Sequence, residues 1–144
     1  MRKVSRSALV PYSAAQMYQL IRDVEKYPSF LPWCNYAEVH IDRDDYIEAS
    51  LGLRRGRVSK RFRTRNMLQP NESLGIELVG GPFRHMSGGW TFRQLGDAGS
   101  KVALVLEFEF DSKATDVILG RFFEKTCNSL VDSFTRRAAE MYAG

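Results

Sequence analysis

The sequence predicts an α+β domain in which a strongly curved antiparallel sheet wraps around a long C-terminal helix, in the order β-α-α-β6-α. Three observations carry this. Apolar residues recur with a period of two from Ala37 to Phe110, in runs separated by turn chemistry. A capped amphipathic segment precedes them, and a stretch of about 28 residues at helical spacing follows, with an apolar stripe that something must cover. The links between successive strands are short, which favours antiparallel neighbours, because a parallel return needs a crossover of a dozen or more residues.

Lys3 to Val10 alternates loosely and reads as the first strand, stopped by Pro11. Ser13 then caps a helix, with Gln16 three positions later completing a capping box. Met17, Leu20, Ile21 and Val24 give that helix one apolar face. Pro28 and Pro32 interrupt any continuation, so Tyr27 to Trp33 should form a short helical turn and an aromatic loop.

Six strands come next. Ala37, Val39 and Ile41 mark one, and Ile47, Ala49, Leu51 and Leu53 the second. Arg57 to Leu68 is the third, with Val58, Phe62 and Leu68 on one face. Leu74, Ile76 and Leu78 mark the fourth, and Trp90 and Phe92 the fifth. The sixth is the clearest, with Val102, Leu104, Leu106, Phe108 and Phe110 facing inward. Turn residues at 42–45, 54–56, 70–73, 80–82 and 96–100 separate them. The glycines at 80–81 and 88–89 are read as geometric, allowing the bends of a curved sheet. The final helix runs from about Ala114 to Tyr142, with Phe123, Cys127, Leu130, Phe134, Ala138 and Met141 as its buried stripe.

The 144 residues fit one domain, 1–144, and a hydrophobic content of 44% suits an ordinary globular core. No stretch reaches the ~18 apolar residues of a membrane span, and the N-terminus lacks a signal-peptide h-region, so a cytoplasmic protein is expected. Two cysteines, Cys34 and Cys127, are too few and too far apart for a disulfide framework or a zinc site. They are expected as partly buried thiols.

Catalytic signatures are missing. His40 and His85, the only histidines, sit in no recognisable motif, and there is no HExxH, GxSxG or dinucleotide loop. No catalytic residue, metal or required cofactor is therefore expected, although a general acid inside a cavity stays open as an alternative.

Two features suit binding. The first is the aromatic content of the inward faces. Phe62, Trp90, Phe92, Phe108 and Phe110 from strands, Phe122, Phe123 and Phe134 from the helix, and Phe30 and Trp33 from the entry loop could wall a ligand cavity or simply fill a core. The Tyr27 to Trp33 loop reads equally as a lid or as ordinary packing. The second is a basic run, net charge +4 overall, in which Arg57, Arg61, Arg63 and Arg65 share one face of a strand. It reads as a solvated face or as a docking stripe for phosphate, in ribosomal RNA or anionic lipid. No aromatic interleaves with these arginines along the chain, which argues against base stacking. Lys60 falls on the opposite, apolar face and is expected to find an ion-pair partner among Glu48, Glu77, Glu107 and Glu109.

Three segments carry a family resemblance: VPYSAAQMYQLIRDVEKYPSFLPWC from Val10 to Cys34, LVGGPFRHMSGGWTF from Leu78 to Phe92, and FTRRAAEMY from Phe134 to Tyr142. The chain resembles the coenzyme Q-binding/ribosome association toxin family of the START-like (helix-grip) superfamily, which includes polyketide cyclases. The resemblance implies a helix-grip fold and a ubiquinone-like ligand, carried without catalysis in support of respiration. It also implies, as the alternative, a toxin from a toxin–antitoxin pair that binds the large ribosomal subunit and blocks subunit association. A cyclase-type enzyme is the third implied role. A monomer is expected, with transient contact at the inner membrane surface.

Overall fold

The computed structural model describes residues 1–142. Seven strands form one sheet: β1 (Arg2–Val10), β2 (Cys34–Asp42), β3 (Tyr46–Arg55), β4 (Val58–Gln69), β5 (Ser73–Gly80), β6 (Phe83–Leu95) and β7 (Gly99–Phe110). Their spatial order is β1-β7-β6-β5-β4-β3-β2, with every pairing antiparallel. The meander from β2 to β7 is as predicted, and β1 closes its far edge by pairing along β7 from Arg2↔Phe108 to Val10↔Ser100.

α1 (Ala14–Arg22) starts on the predicted capping box: Ser13 Oγ accepts from the Gln16 amide at 3.0 Å, and Gln16 Oε1 accepts from the Ser13 amide at 2.9 Å. Its apolar face, Met17, Tyr18, Leu20 and Ile21, is buried. A 3₁₀ turn (Val24–Ser29) follows, containing Pro28, which tolerates the loss of its N–H in so short a turn.

The sheet bends because it is built to. Register shifts interrupt β2 at Cys34/Tyr36 and Val39/Ile41, β4 at Arg63/Thr64 and β6 at Phe83/His85. Gly88 and Gly89 take φ of 142° and 156°, and a Cβ on either would run into the backbone of the neighbouring strand. Only glycine permits that close approach.

The C-terminal helical run starts as a single turn, α2 (Lys113–Thr115), widens into a π turn (Asp116–Gly120) and continues as α3 (Arg121–Tyr142). An ion-pair cluster sits at this widening. Arg2 reaches across from β1, its Nε and Nη2 each 3.0 Å from the Asp116 carboxylate and its Nη1 2.8 Å from Glu124. Gly120 lies beneath this contact, where a Cβ would come within 2.6 Å of Asp116 Oδ1. The ion pairs therefore dock the first strand onto the helix at a place where only glycine leaves room.

α3 lies in the concave face, burying Phe123, Thr126, Cys127, Val131, Phe134 and Ala138. One expectation needs correction: Met141 is 55% exposed, bordering an outer groove beside Leu20 and Phe30. Leu130 is half-buried on the inward side, and Val131 joins the core beside it. Edge-to-face rings hold the helix down: Phe123 meets Phe108 at 4.9 Å and Phe62 at 5.9 Å, and Phe134 meets Tyr27 at 5.2 Å and Trp90 at 5.4 Å. Each such pair adds about 0.5–1.5 kcal/mol beyond area burial.

Candidate functional site

Between α3 and the sheet lies a cavity of about 70 Å³, walled by Val24, Tyr27, Trp33, Ala49, Leu51, Phe62, Thr64, Asn66, Leu74, Ile76, Met86, Trp90, Leu106, Phe123, Cys127, Leu130 and Phe134. Strands β3 to β7 contribute alternate residues, as a pleated sheet must, and α3 contributes positions three and four apart. The space is under half the ~150 Å³ of an apolar cavity that admits benzene. At this volume a ring-sized ligand fits only if part of the wall gives way.

The predicted lining divides. Trp33, Phe62, Trp90, Phe123 and Phe134 line the cavity. The other predicted aromatics lie elsewhere. Phe92 packs edge-on against Tyr18 at 5.7 Å, beneath α1. Phe108 and Phe110 belong to a ring cluster around Phe83, which stacks on Phe110 at 4.5 Å. Phe30 is half-buried on the outside of the 3₁₀ turn, edge-on to Phe134 at 5.5 Å, with the Arg137 guanidinium 5.1 Å from its ring centre. Phe122 also faces outward, under Arg55 at 5.7 Å. Alternation alone identifies the inward faces, but not which part of the inner surface is hollow.

Trp33 is the wall between inside and outside. Its ring touches the cavity and meets Phe123 at 6.3 Å, and it also borders an outer groove lined by Pro32, Arg54, Arg55, Phe122 and Arg136. The 3₁₀ turn is held closed by the Tyr27 hydroxyl, which donates to the Ile21 carbonyl, and by Leu31, which is fully buried.

The cavity's polar content is small, and the sequence reading does not include it. Thr64 and Asn66, on the inner face of β4, are 6% and 7% exposed, and the Thr64 hydroxyl donates to Asn66 Oδ1 at 2.9 Å. Their one signal in the sequence is two polar residues at inward parity between Phe62 and Leu68. No carboxylate or imidazole is among the described residues of the wall. The two ionisable protons present, on Tyr27 and Cys127, are held far above their usual range by burial. His40 and His85 both sit on the convex face, His40 2.8 Å from Ser50 Oγ and His85 3.1 Å from Glu107. Cys34 and Cys127 are buried thiols. Among the described residues, no three His, Cys, Asp or Glu side chains gather as a metal site, and no helix is long and apolar enough to cross a membrane.

The basic face is also rearranged. Arg61, Arg63 and Arg65 do lie outward on β4, but Arg57 falls in the β3–β4 turn. Arg63 and Arg65 converge on Glu48 of β3 at 2.8 and 3.1 Å. The hydrogen bond from Arg65, with the charge of Arg63, holds that carboxyl below its usual pKa. Arg61 stacks on Tyr36 at 3.7 Å, and Arg65 lies 5.1 Å from the Tyr46 ring. Neighbouring strands thus supply the aromatics that the linear sequence does not show. Lys60 is exposed near the turn, and none of the ion pairs among the described residues includes it, nor Arg54 or Arg57. Arg54, Arg57 and Lys60 thus form an unpaired cationic cluster at the β3–β4 hairpin tip.

Comparison with known proteins agrees with this architecture. The model of the family described as "Polyketide cyclase / dehydrase and lipid transport" matches residues 10–135. The ribosome association toxin RatA of Vibrio cholerae is 44% identical over 142 residues, covering 99% of both chains. The mitochondrial coenzyme Q-binding protein COQ10 homolog B of Xenopus laevis is 27% identical over 143 residues, covering 96% of this chain and 58% of that one. The crystal structure of the ZhuI aromatase/cyclase from Streptomyces sp. R1128 superimposes with a TM-score of 0.84 at 18% identity, over 99% of this chain and 98% of that one, which shows the shared fold. Sequence, sheet order and gripped helix agree: the chain belongs to the polyketide cyclase/dehydrase and lipid transport family, together with the ribosome association toxins.

Proposed function

We propose that this protein binds a hydrophobic small molecule without transforming it, and that the ligand is an isoprenoid quinone of the ubiquinone class. The observation that carries the reading is the cavity wall: aromatic and aliphatic apart from Thr64, Asn66 and Cys127, with no carboxylate or imidazole among the described residues. Flat rings suit edge-to-face walls, and an isoprenoid tail gains from apolar burial. A cyclase would need a proton donor or acceptor at the reacting carbon, and Tyr27 and Cys127 hold their protons too tightly for that. The coenzyme Q-binding name of the Xenopus relative supports the ligand class. On this reading the protein works as a cytoplasmic monomer, touches the inner membrane transiently to exchange ligand, and needs no cofactor. The test is mass spectrometry of an organic extract of the native protein. Quinone near one equivalent is the expected result; an empty protein that also fails to bind quinone on titration overturns the reading.

A second reading uses the β3–β4 hairpin tip. The close relatives carry the name of a ribosome association toxin over the full length of this chain, and the β3–β4 hairpin presents Arg54, Arg57 and Lys60 outside the ion pairs of the described residues. These would dock on ribosomal RNA by counterion release, in a salt-dependent manner, and so block subunit joining. Sedimentation of ribosomes with added protein checks it. Subunit dissociation that weakens when Arg54, Arg57 and Lys60 become Gln supports this reading, and an unchanged profile with the native protein removes it. One role uses the cavity and the other the exposed hairpin tip, so the two are compatible.

A further inference from the structure

We infer that Asn66, aimed by Thr64, is the specificity determinant of the cavity: its side-chain amide donates a hydrogen bond to a carbonyl oxygen on the ring of the bound ligand. This rests on the apolar-ligand reading above and adds the chemistry by which the ligand is recognised.

Thr64 and Asn66 sit two apart on β4, both pointing into the concave face at more than nine-tenths buried. The Thr64 hydroxyl donates to Asn66 Oδ1, which occupies the carbonyl end of the amide and turns the Nδ2 end away. Among the described residues nothing accepts from that Nδ2, although it belongs to a side chain lining an otherwise apolar wall. An unpaired amide donor bordering an apolar cavity gains most from a ligand that brings an acceptor to it. Apolar residues of similar volume would fill the same two positions without that donor.

The position fits a ring-recognising role. Asn66 lies four residues along β4 from Phe62, about 13 Å, while Phe62 shares Phe123 with Trp33. The donor is therefore set toward the end of the wall away from Trp33. A ligand passing Trp33 would carry its oxygenated ring to Asn66 and leave its hydrocarbon tail along Phe62 and Phe123. Neither a fatty chain nor a plain hydrocarbon would satisfy the amide. A site built to hydrogen-bond one ligand group discriminates strongly against the analogue that lacks it.

The test compares two isosteric rings, duroquinone, a fully methylated benzoquinone, and durene, the same methylated ring without carbonyl oxygens. Both are titrated into the full-length ¹⁵N-labelled protein, and affinity is read from the indole N–H signals of Trp33 and Trp90, which both face the cavity. The expected result is tighter binding of duroquinone by about tenfold, the worth of a well-made buried hydrogen bond. Asn66→Leu should abolish that preference while leaving durene affinity within about twofold, and Thr64→Val, which removes only the aiming hydroxyl, should reduce it by about threefold. The ratio of the two affinities is not moved by a general loss of packing, so it isolates the amide. Asn66→Leu retaining the full preference overturns the assignment. Equal affinity of the native protein for both rings also overturns it and leaves the apolar cavity standing. Binding of neither ring overturns the ligand reading itself, and this inference with it.

Discussion

The two faces of β4 lie one side chain apart and do opposite work, yet each carries a minority chemistry that decides its character. The inner face is apolar except for Thr64 and Asn66, which break the wall with one hydrogen-bonded pair. The outer face is cationic except for what its neighbours lend it: Glu48 from β3 between Arg63 and Arg65, and Tyr36 from β2 under Arg61. A face's majority residues fix where it lies, in the core or in water. Its exceptions fix what it can recognise. Inside, the exception leaves a donor free; outside, the exceptions consume the charge.

Damage to the inner face should have the largest effect. Phe62→Ala removes a buried ring from contact with Phe83 and Phe123, and should cost about 3–5 kcal/mol in equilibrium denaturation. If the loss came out below about 1 kcal/mol, the inner face would be adjustable lining and not part of the core.

Glu48, on the outer side, should give an intermediate effect. Its folded pKa is depressed, by the hydrogen bond from Arg65 first and then the charge of Arg63. A depressed carboxyl contributes stability above its unfolded pKa and loses it as pH falls through the folded value. Glu48→Gln should therefore lower stability at neutral pH, and the gap from the native protein should close on acidification below about pH 4. Denaturation midpoints from pH 7 to about pH 3 measure it. A gap independent of pH would mean that Glu48 acts through packing alone.

The hairpin tip should matter least to stability. Arg54→Gln and Arg57→Gln should leave it within about 0.5 kcal/mol, since both side chains are exposed and outside the ion pairs described. The same changes should weaken retention on an anionic matrix and reduce its salt dependence, whereas Arg63→Gln should do less, its charge being already engaged by Glu48.

The fold is legible in the sequence because its signals are local. A capping box, period-two runs and proline breaks each specify an element within a few residues, and short links leave an antiparallel meander as the simplest arrangement. The site is less so, because hollowness is not a local property. Phe62 and Phe108 have the same inward parity, but one borders the cavity and the other packs against Phe83. Arg61 and Tyr36 are far apart in sequence, and only the pairing of β2 and β4 with β3 brings them together. Asn66 gives no clear signal either, since a lone polar residue at an inward position resembles noise until its burial and missing partner are seen.

The π turn bears on how the molecule comes to be folded. The helix that fills the concave face follows all seven strands in the chain, and Arg2 must find Asp116 and Glu124 across more than a hundred residues. Until α3 arrives, Phe62, Trp90 and Phe108 lack the helix rings they lie against. Such long-range closure belongs to the slow end of domain folding, on the order of milliseconds to seconds. A chain stopped before Arg121 should therefore yield aggregate and not a smaller domain, as centrifugation after expression would show. Assembly waits for the last helix, and the single glycine at 120 is what allows the first strand to receive it.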